Sequence, residues 1–170
     1  MPENTPQLGW GHININVRNL DQSIAFYRKL GFDVFLPAIP YLALQMDAEP
    51  GPLPAPSATA LGVETGLKGR ACIMQLGDGF PKLDLTEFAH DDARPPLRND
   101  DTGLVRICLV SQDLSADVAR LKAEGVTFLS EPQPGHAELA DIAVCQDPDG
   151  TLIEILQVYL DRWQAVLNPG

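Results

Sequence analysis

The sequence predicts an α+β fold built from two tandem βαβββ modules. Three observations carry that prediction: a strand-helix unit at residues 11–32, an echo of it from residue 104 onward, and a constant spacing between the two. In the first unit His12, Asn14 and Asn16 alternate with Ile13, Ile15 and Val17, the period of a strand with one apolar and one polar face. Ile24, Phe26, Tyr27 and Leu30 then recur at helical spacing, with Asp21, Gln22, Arg28 and Lys29 toward water. Gly31 suits the left-handed residue that ends such a helix.

The echo can be counted. Leu20 and Leu114, Tyr27 and Leu121, and Gly31 and Gly125 are each 94 positions apart. Toward the end of each module, Gly77 and Asp147, Leu83 and Ile153, and Asp84 and Glu154 are 70 apart. The first copy therefore holds 24 extra residues, which fall in the proline-rich stretch between Phe35 and Arg70.

The elements follow in order. Residues 32–36 read as a second strand. Residues 38–69 lack periodic apolar positions, are dense in proline and glycine, and read as loop. Residues 70–76 and 82–88 are strands on either side of a Gly77-Asp78-Gly79 turn, with Leu83 and Leu85 facing the core and Asp84, Thr86 and Phe88 opposite. In the second copy residues 104–110 are a strand and 115–124 a helix with Val118, Ala119 and Leu121 inward. Residues 126–129, 142–146 and 152–158 are strands, with a turn at Asp147-Pro148-Asp149-Gly150. A C-terminal helix follows, whose Leu160, Trp163, Val166 and Leu167 are expected to dock on the body. The domain reading is one domain over residues 1–170: a first module at 8–88 with its insertion at about 38–69, a linker at 89–103, a second module at 104–158, and a terminal helix at 159–170. With polar faces turned inward, the two modules would form a cleft.

Composition narrows the partners. A net charge of -11 and the lack of a basic stripe argue against nucleic acid, and no apolar run approaches a membrane span. The first ten residues have neither the basic start nor the apolar core of a signal peptide, so the expected location is cytoplasmic. Cys72, Cys108 and Cys145 sit among apolar residues at no metal-like spacing and read as buried, reduced thiols.

The segments GHININVRNLDQSIAFYRKLGF, VRICLVSQDLSADVARLKAEGV and DPDGTLIEI together resemble the vicinal oxygen chelate superfamily, which includes glyoxalases, extradiol dioxygenases, epimerases and bleomycin resistance proteins. The resemblance implies four ligand positions, two from each module, that hold a divalent metal in metal-dependent members. Carried onto this sequence they are His12, Asp84, Arg106 and Glu154, with Glu87 the alternative to Asp84. The third position usually holds histidine, and arginine cannot serve as a ligand. Two arrangements stand open. Arg106 pairs with Asp84 and Glu154 in place of a metal, or it grips a substrate oxyanion while His12, Asp84 and Glu154 hold the ion.

The resemblance further implies a small-molecule enzyme of lyase, isomerase or epimerase type acting on an oxygen-rich substrate, with Glu154 or His12 moving the proton and Arg106 binding substrate. His136, in the loop EPQPGHAELAD between two strands of the second half, is a candidate to overhang the cleft, binding substrate or carrying a proton. Ring-cleaving oxygenation normally wants two histidines and one carboxylate, and only His12 stands at a matching position. The competing class is a binding protein that sequesters a small molecule without turnover. A homodimer is expected on the resemblance.

Overall fold

The computed structural model describes residues 7–90 and 94–167, at 165 and 166 the backbone only. The chain divides into two compact units, residues 1–91 and 92–170.

The first unit opens with β1 (His12–Asn16), whose exposed His12, Asn14 and Asn16 alternate with the apolar positions. Helix α1 (Leu20–Lys29) follows. Asn19 caps it, accepting from the Gln22 N–H at 2.9 Å, and Asp21 complements the positive end of the helix dipole. Leu20, Ser23, Ile24, Phe26 and Tyr27 form its buried stripe, each large apolar side chain contributing about 1.5–3 kcal/mol. The helix stops where Gly31 takes φ 95° and the Phe32 N–H returns to the Tyr27 carbonyl.

Strand β2 (Asp33–Leu36) leads into the insertion. That segment is not the structureless loop its composition predicts. It holds a hairpin of β3 (Ala38–Ile39) and β4 (Leu44–Gln45), a one-turn helix at Pro40–Leu42 between them, β5 (Gly51–Pro52) and α2 (Ala55–Leu61). Ile39, Leu42, Leu44, Leu53 and Ala58 bury themselves together against Ala71, flanked by Val63, Leu67, Ile73 and Phe88. Turns of proline and glycine separate these apolar residues, so they show no period in sequence and converge only in three dimensions.

Strands β6 (Lys68–Gln75) and β7 (Lys82–Phe88) complete the first sheet, ordered β1-β7-β6-β2 with β5 beside β6. Gly69 is required at the pairing of β6 with β7, because a Cβ there would lie 2.7 Å from the Glu87 carbonyl oxygen.

In the second unit β8 (Arg106–Val110) and α3 (Leu114–Ala123) repeat the opening. Asp113, 94 positions after Asn19, caps α3 through the Ala116 N–H at 3.0 Å, and Val126 returns to Leu121 as Phe32 does to Tyr27. Then come β9 (Thr127–Phe128), β10 (Gln133–Pro134), β11 (Ala140–Gln146), β12 (Leu152–Val158) and α4 (Leu160–Leu167). The sheet order is β10-β11-β12-β8, with β9 beside β11. Each unit thus carries a five-stranded sheet in which first and last strands pair in parallel.

The counted repeat reappears in strand register and in hydrogen bonds. Asn14 pairs with Asp84 in β1 and β7, and Cys108 with Glu154 in β8 and β12. The first amide of each helix is held by the last strand of its own sheet: Leu20 donates to Glu87 and Leu114 to Gln157.

Three local expectations are corrected. Ala119 is exposed, since only Leu114, Val118 and Leu121 reach the sheet. Cys108 is exposed because it shares the outer face of β8 with Arg106 and Val110, while Cys72 and Cys145 are buried. Leu160 and Leu167 of α4 are exposed rather than docked; Trp163 attaches by its indole N–H to the Leu139 carbonyl at 2.8 Å. The side chain of Val166, residues 91–93 of the linker and residues 168–170 lie outside the described residues. No helix of the described residues is long and apolar enough to cross a membrane.

Candidate functional site

The polar face of the first sheet gathers His12, Asp84 and a residue the sequence reading missed. Asp84 is 1% exposed, unlike the outward-facing asparagines of the adjacent strand. Its Oδ2 lies 3.5 Å from His12 Nε2 and accepts from the Tyr41 hydroxyl at 3.3 Å. Its Oδ1 is buried with no hydrogen-bond partner among the described residues. Burial raises the Asp84 carboxyl above its ordinary range, and the neighbouring imidazole and phenol pull it partly back.

Tyr41 comes from the one-turn helix of the insertion. Ser57 donates to its carbonyl at 3.0 Å, and Ala43, in the left-handed conformation, closes that turn. The phenol ring stacks beside the His12 ring with centroids 6.5 Å apart. Burial and the Asp84 charge raise the phenol further, so the hydroxyl keeps its proton at neutral pH. The irregular but repeated apolar positions Ile39, Leu42 and Leu44 were the signal that this stretch folds. A polar row continues from the cluster: Thr86 donates to Asn14 Oδ1, and Asn14 to Asn16 Oδ1, each at 2.9 Å.

Glu87 stands apart from these groups. Its carboxylate accepts from the Leu20 amide at 2.6 Å and pairs with Arg70 at 2.9 Å, so its work is at the N-terminus of α1.

On the second sheet Arg106 forms an ion pair with Glu154 through Nε, and its Nη1 donates to Asn99 Oδ1 at 3.2 Å. The guanidinium is partly exposed and held in orientation by both partners. His136 is exposed in the turn before β11, where Ala137 and Glu138 take positive φ.

Neither unit by itself offers a donor set that fits a divalent ion: in the first, His12 and Asp84 are one imidazole and one carboxylate that already face each other, and in the second, Arg106 has no lone pair to give and occupies the Glu154 carboxylate. Among the described residues no group of three His, Cys, Asp or Glu side chains could hold a metal.

Comparison with known proteins bears on the fold. The family model described as the Glyoxalase/Bleomycin resistance protein/Dioxygenase superfamily matches residues 9–155. No curated protein matches the sequence. A glyoxalase family protein from Bacillus cereus is similar in structure with a TM-score of 0.70 at 17% identity, the match covering 93% of this chain and 98% of that one. A superfamily member from Sphaerobacter thermophilus aligns with a TM-score of 0.58 at 17% identity, over 88% of this chain and 98% of its own. A variant of glyoxalase I from Zea mays aligns with a TM-score of 0.57 at 21% identity, over 86% of this chain and 43% of the maize chain. Resting on a family match that spans most of its length, the chain belongs to the glyoxalase/bleomycin resistance/dioxygenase superfamily.

Proposed function

We propose that the chain is a small-molecule enzyme that moves a proton on an oxygen-rich substrate, with His12 as the acid-base group and Asp84 behind it. The observation that carries this reading is the buried Asp84 carboxylate, half unsatisfied, with the exposed imidazole and phenol of His12 and Tyr41 as its partners. Buried carboxylates in a purely structural role are in the large majority of cases satisfied by hydrogen bonds. Here the Asp84 carboxylate faces the imidazole at 3.5 Å and orients the ring, as a carboxylate behind a catalytic histidine does.

In this reading the His12 Nε2–H is turned to Asp84, and Nδ1 takes a proton from carbon or oxygen of the substrate and returns it to a neighbouring atom. That is isomerase, epimerase or lyase chemistry. Asn14, Asn16 and Thr86 offer amide and hydroxyl groups for substrate oxygens. On the second sheet Arg106, oriented by Asn99 and Glu154, offers a guanidinium suited in its own right to an oxyanion. Glu154 is already engaged by Arg106 and has no step in this scheme. Nor has His136. The proposed partner beyond substrate is a second copy of the chain, on the habit of the family, and sedimentation at micromolar concentration reads it.

The test is hydrogen exchange on α-oxygenated carbonyl compounds, beginning with dihydroxyacetone, in heavy water by proton NMR. Enzyme-dependent exchange is expected to fall about 100-fold or more in His12→Gln and about 10-fold or more in Asp84→Asn. Compounds that bind stoichiometrically without exchange in the wild type would support sequestration instead.

A further inference from the structure

Two residues before Asp84, on the same strand and the same face, lies a lysine that the acid-base scheme does not use. Lys82 pairs in register with His12 and is 6% exposed. Its Nζ donates to Gln75 Oε1 at 2.8 Å and to the Asp78 carbonyl at 3.4 Å, and lies 4.7 Å from the Phe35 ring centroid and 4.9 Å from that of Phe80. Every one of these groups is neutral. Among the described residues no carboxylate pairs with Lys82, although the chain carries 23 acidic residues against 12 basic ones.

The internal repeat shows what this position needs for folding alone. At the spacing of 70, Lys82 corresponds to Leu152, which is 3% exposed and pairs with Arg106 as Lys82 pairs with His12. The fold accepts an ordinary apolar residue there. Burying an ammonium group instead costs free energy that two neutral acceptors and two ring faces only partly offset. The two rings are themselves half-exposed to well-exposed, at 46% for Phe35 and 65% for Phe80, so exposed apolar surface borders a cation that has one N–H left to donate.

We propose that Lys82, rimmed by Phe35 and Phe80, is an anion-binding subsite beside His12 and Asp84, and that it takes a carboxylate or phosphate group carried on a flat or apolar body. The ammonium supplies a charge-assisted hydrogen bond, the rings cover the adjoining apolar part of the ligand, and Gln75 keeps the ammonium in place. The subsite deepens the proposed function by naming the substrate class, an anionic oxygen compound held at one end while its reactive atoms reach the imidazole.

The experiment is a titration of the full chain with benzoate and with phenyl phosphate, benzamide serving as the uncharged control, followed through amide resonances. Both anions are expected to shift residues 75–82, to bind more tightly than benzamide and to weaken as salt is raised. Lys82→Met is expected to weaken the anions by about 10- to 100-fold and leave benzamide unchanged. The tighter of the two anions tells whether carboxylate or phosphate is the preferred group. Equal affinity for benzoate, phenyl phosphate and benzamide in the wild type, or shifts confined to other residues, overturns the proposal without recourse to any variant that fails to fold. Lys82→Arg, which keeps the charge, is expected to retain most anion binding. Asp84→Asn separates this subsite from the catalytic reading, since it should lose proton exchange yet bind the anions at least as well as the wild type.

Discussion

Asp84 is costly to ionise where it sits, and the sign of that cost can be worked out. Burial lifts its carboxyl above the ordinary value, so the native chain holds a proton that the unfolded chain has already released. Between the ordinary value and the raised one, stability therefore falls as pH rises. Asp84→Asn removes that slope and raises the melting temperature at neutral pH, the opposite of what loss of a stabilising ion pair would do. Urea unfolding at about pH 4 and about pH 8 checks both statements. Arg106 makes a different prediction. Arg106→His frees Glu154 and supplies a nitrogen donor, so zinc affinity measured by titration should rise about tenfold or more over the wild type. Among the thiols, burial pushes Cys72 and Cys145 up to about 12, whereas Cys108 is exposed and raised less. Ellman's reagent at about pH 8 should then label one thiol in the native chain and three in denaturant.

At the scale of elements, the two copies of the strand-helix unit solve the same end problem with different residues. Asn19 and Asp113 each accept from an amide three residues on, and each helix has its first amide bound by a side chain of the last strand. Asn19→Ala and Asp113→Ala should each cost about 1 kcal/mol, measured by denaturant unfolding, because a lost cap leaves one orphan donor in either case. The insertion is the element that differs between copies. Its small core of Ile39, Leu42, Leu44, Leu53 and Ala58 holds a one-turn helix rigidly enough for Tyr41 to reach Asp84. Twenty-four extra residues in one copy thus brought a side chain to the site.

Over the whole molecule the balance of charge is -11, and like charges on a folded chain repel one another more than on an expanded one. Raising sodium chloride from about 0.01 M to about 0.15 M shortens the screening length from about 30 Å to about 8 Å, and the melting temperature should rise with it. The duplicated architecture was written in the sequence, because hydrophobic period, helix caps and the separations of 94 and 70 are all properties of nearby or counted residues. The resemblance, carried onto those counted positions, singled out His12, Asp84, Arg106 and Glu154. Tertiary structure decided how these residues are used: it set Asp84 against His12, gave Glu154 to Arg106, and engaged Glu87 at a helix end. It also turned the proline-rich stretch into a folded support for Tyr41 and left Lys82 buried among neutral groups. Contacts between residues far apart in sequence leave no period to read, and the cost of burying a charge depends on what the fold brings around it. The sequence by itself therefore determined the scaffold and the candidate residues, while partners, burial and charge balance belonged to the folded chain.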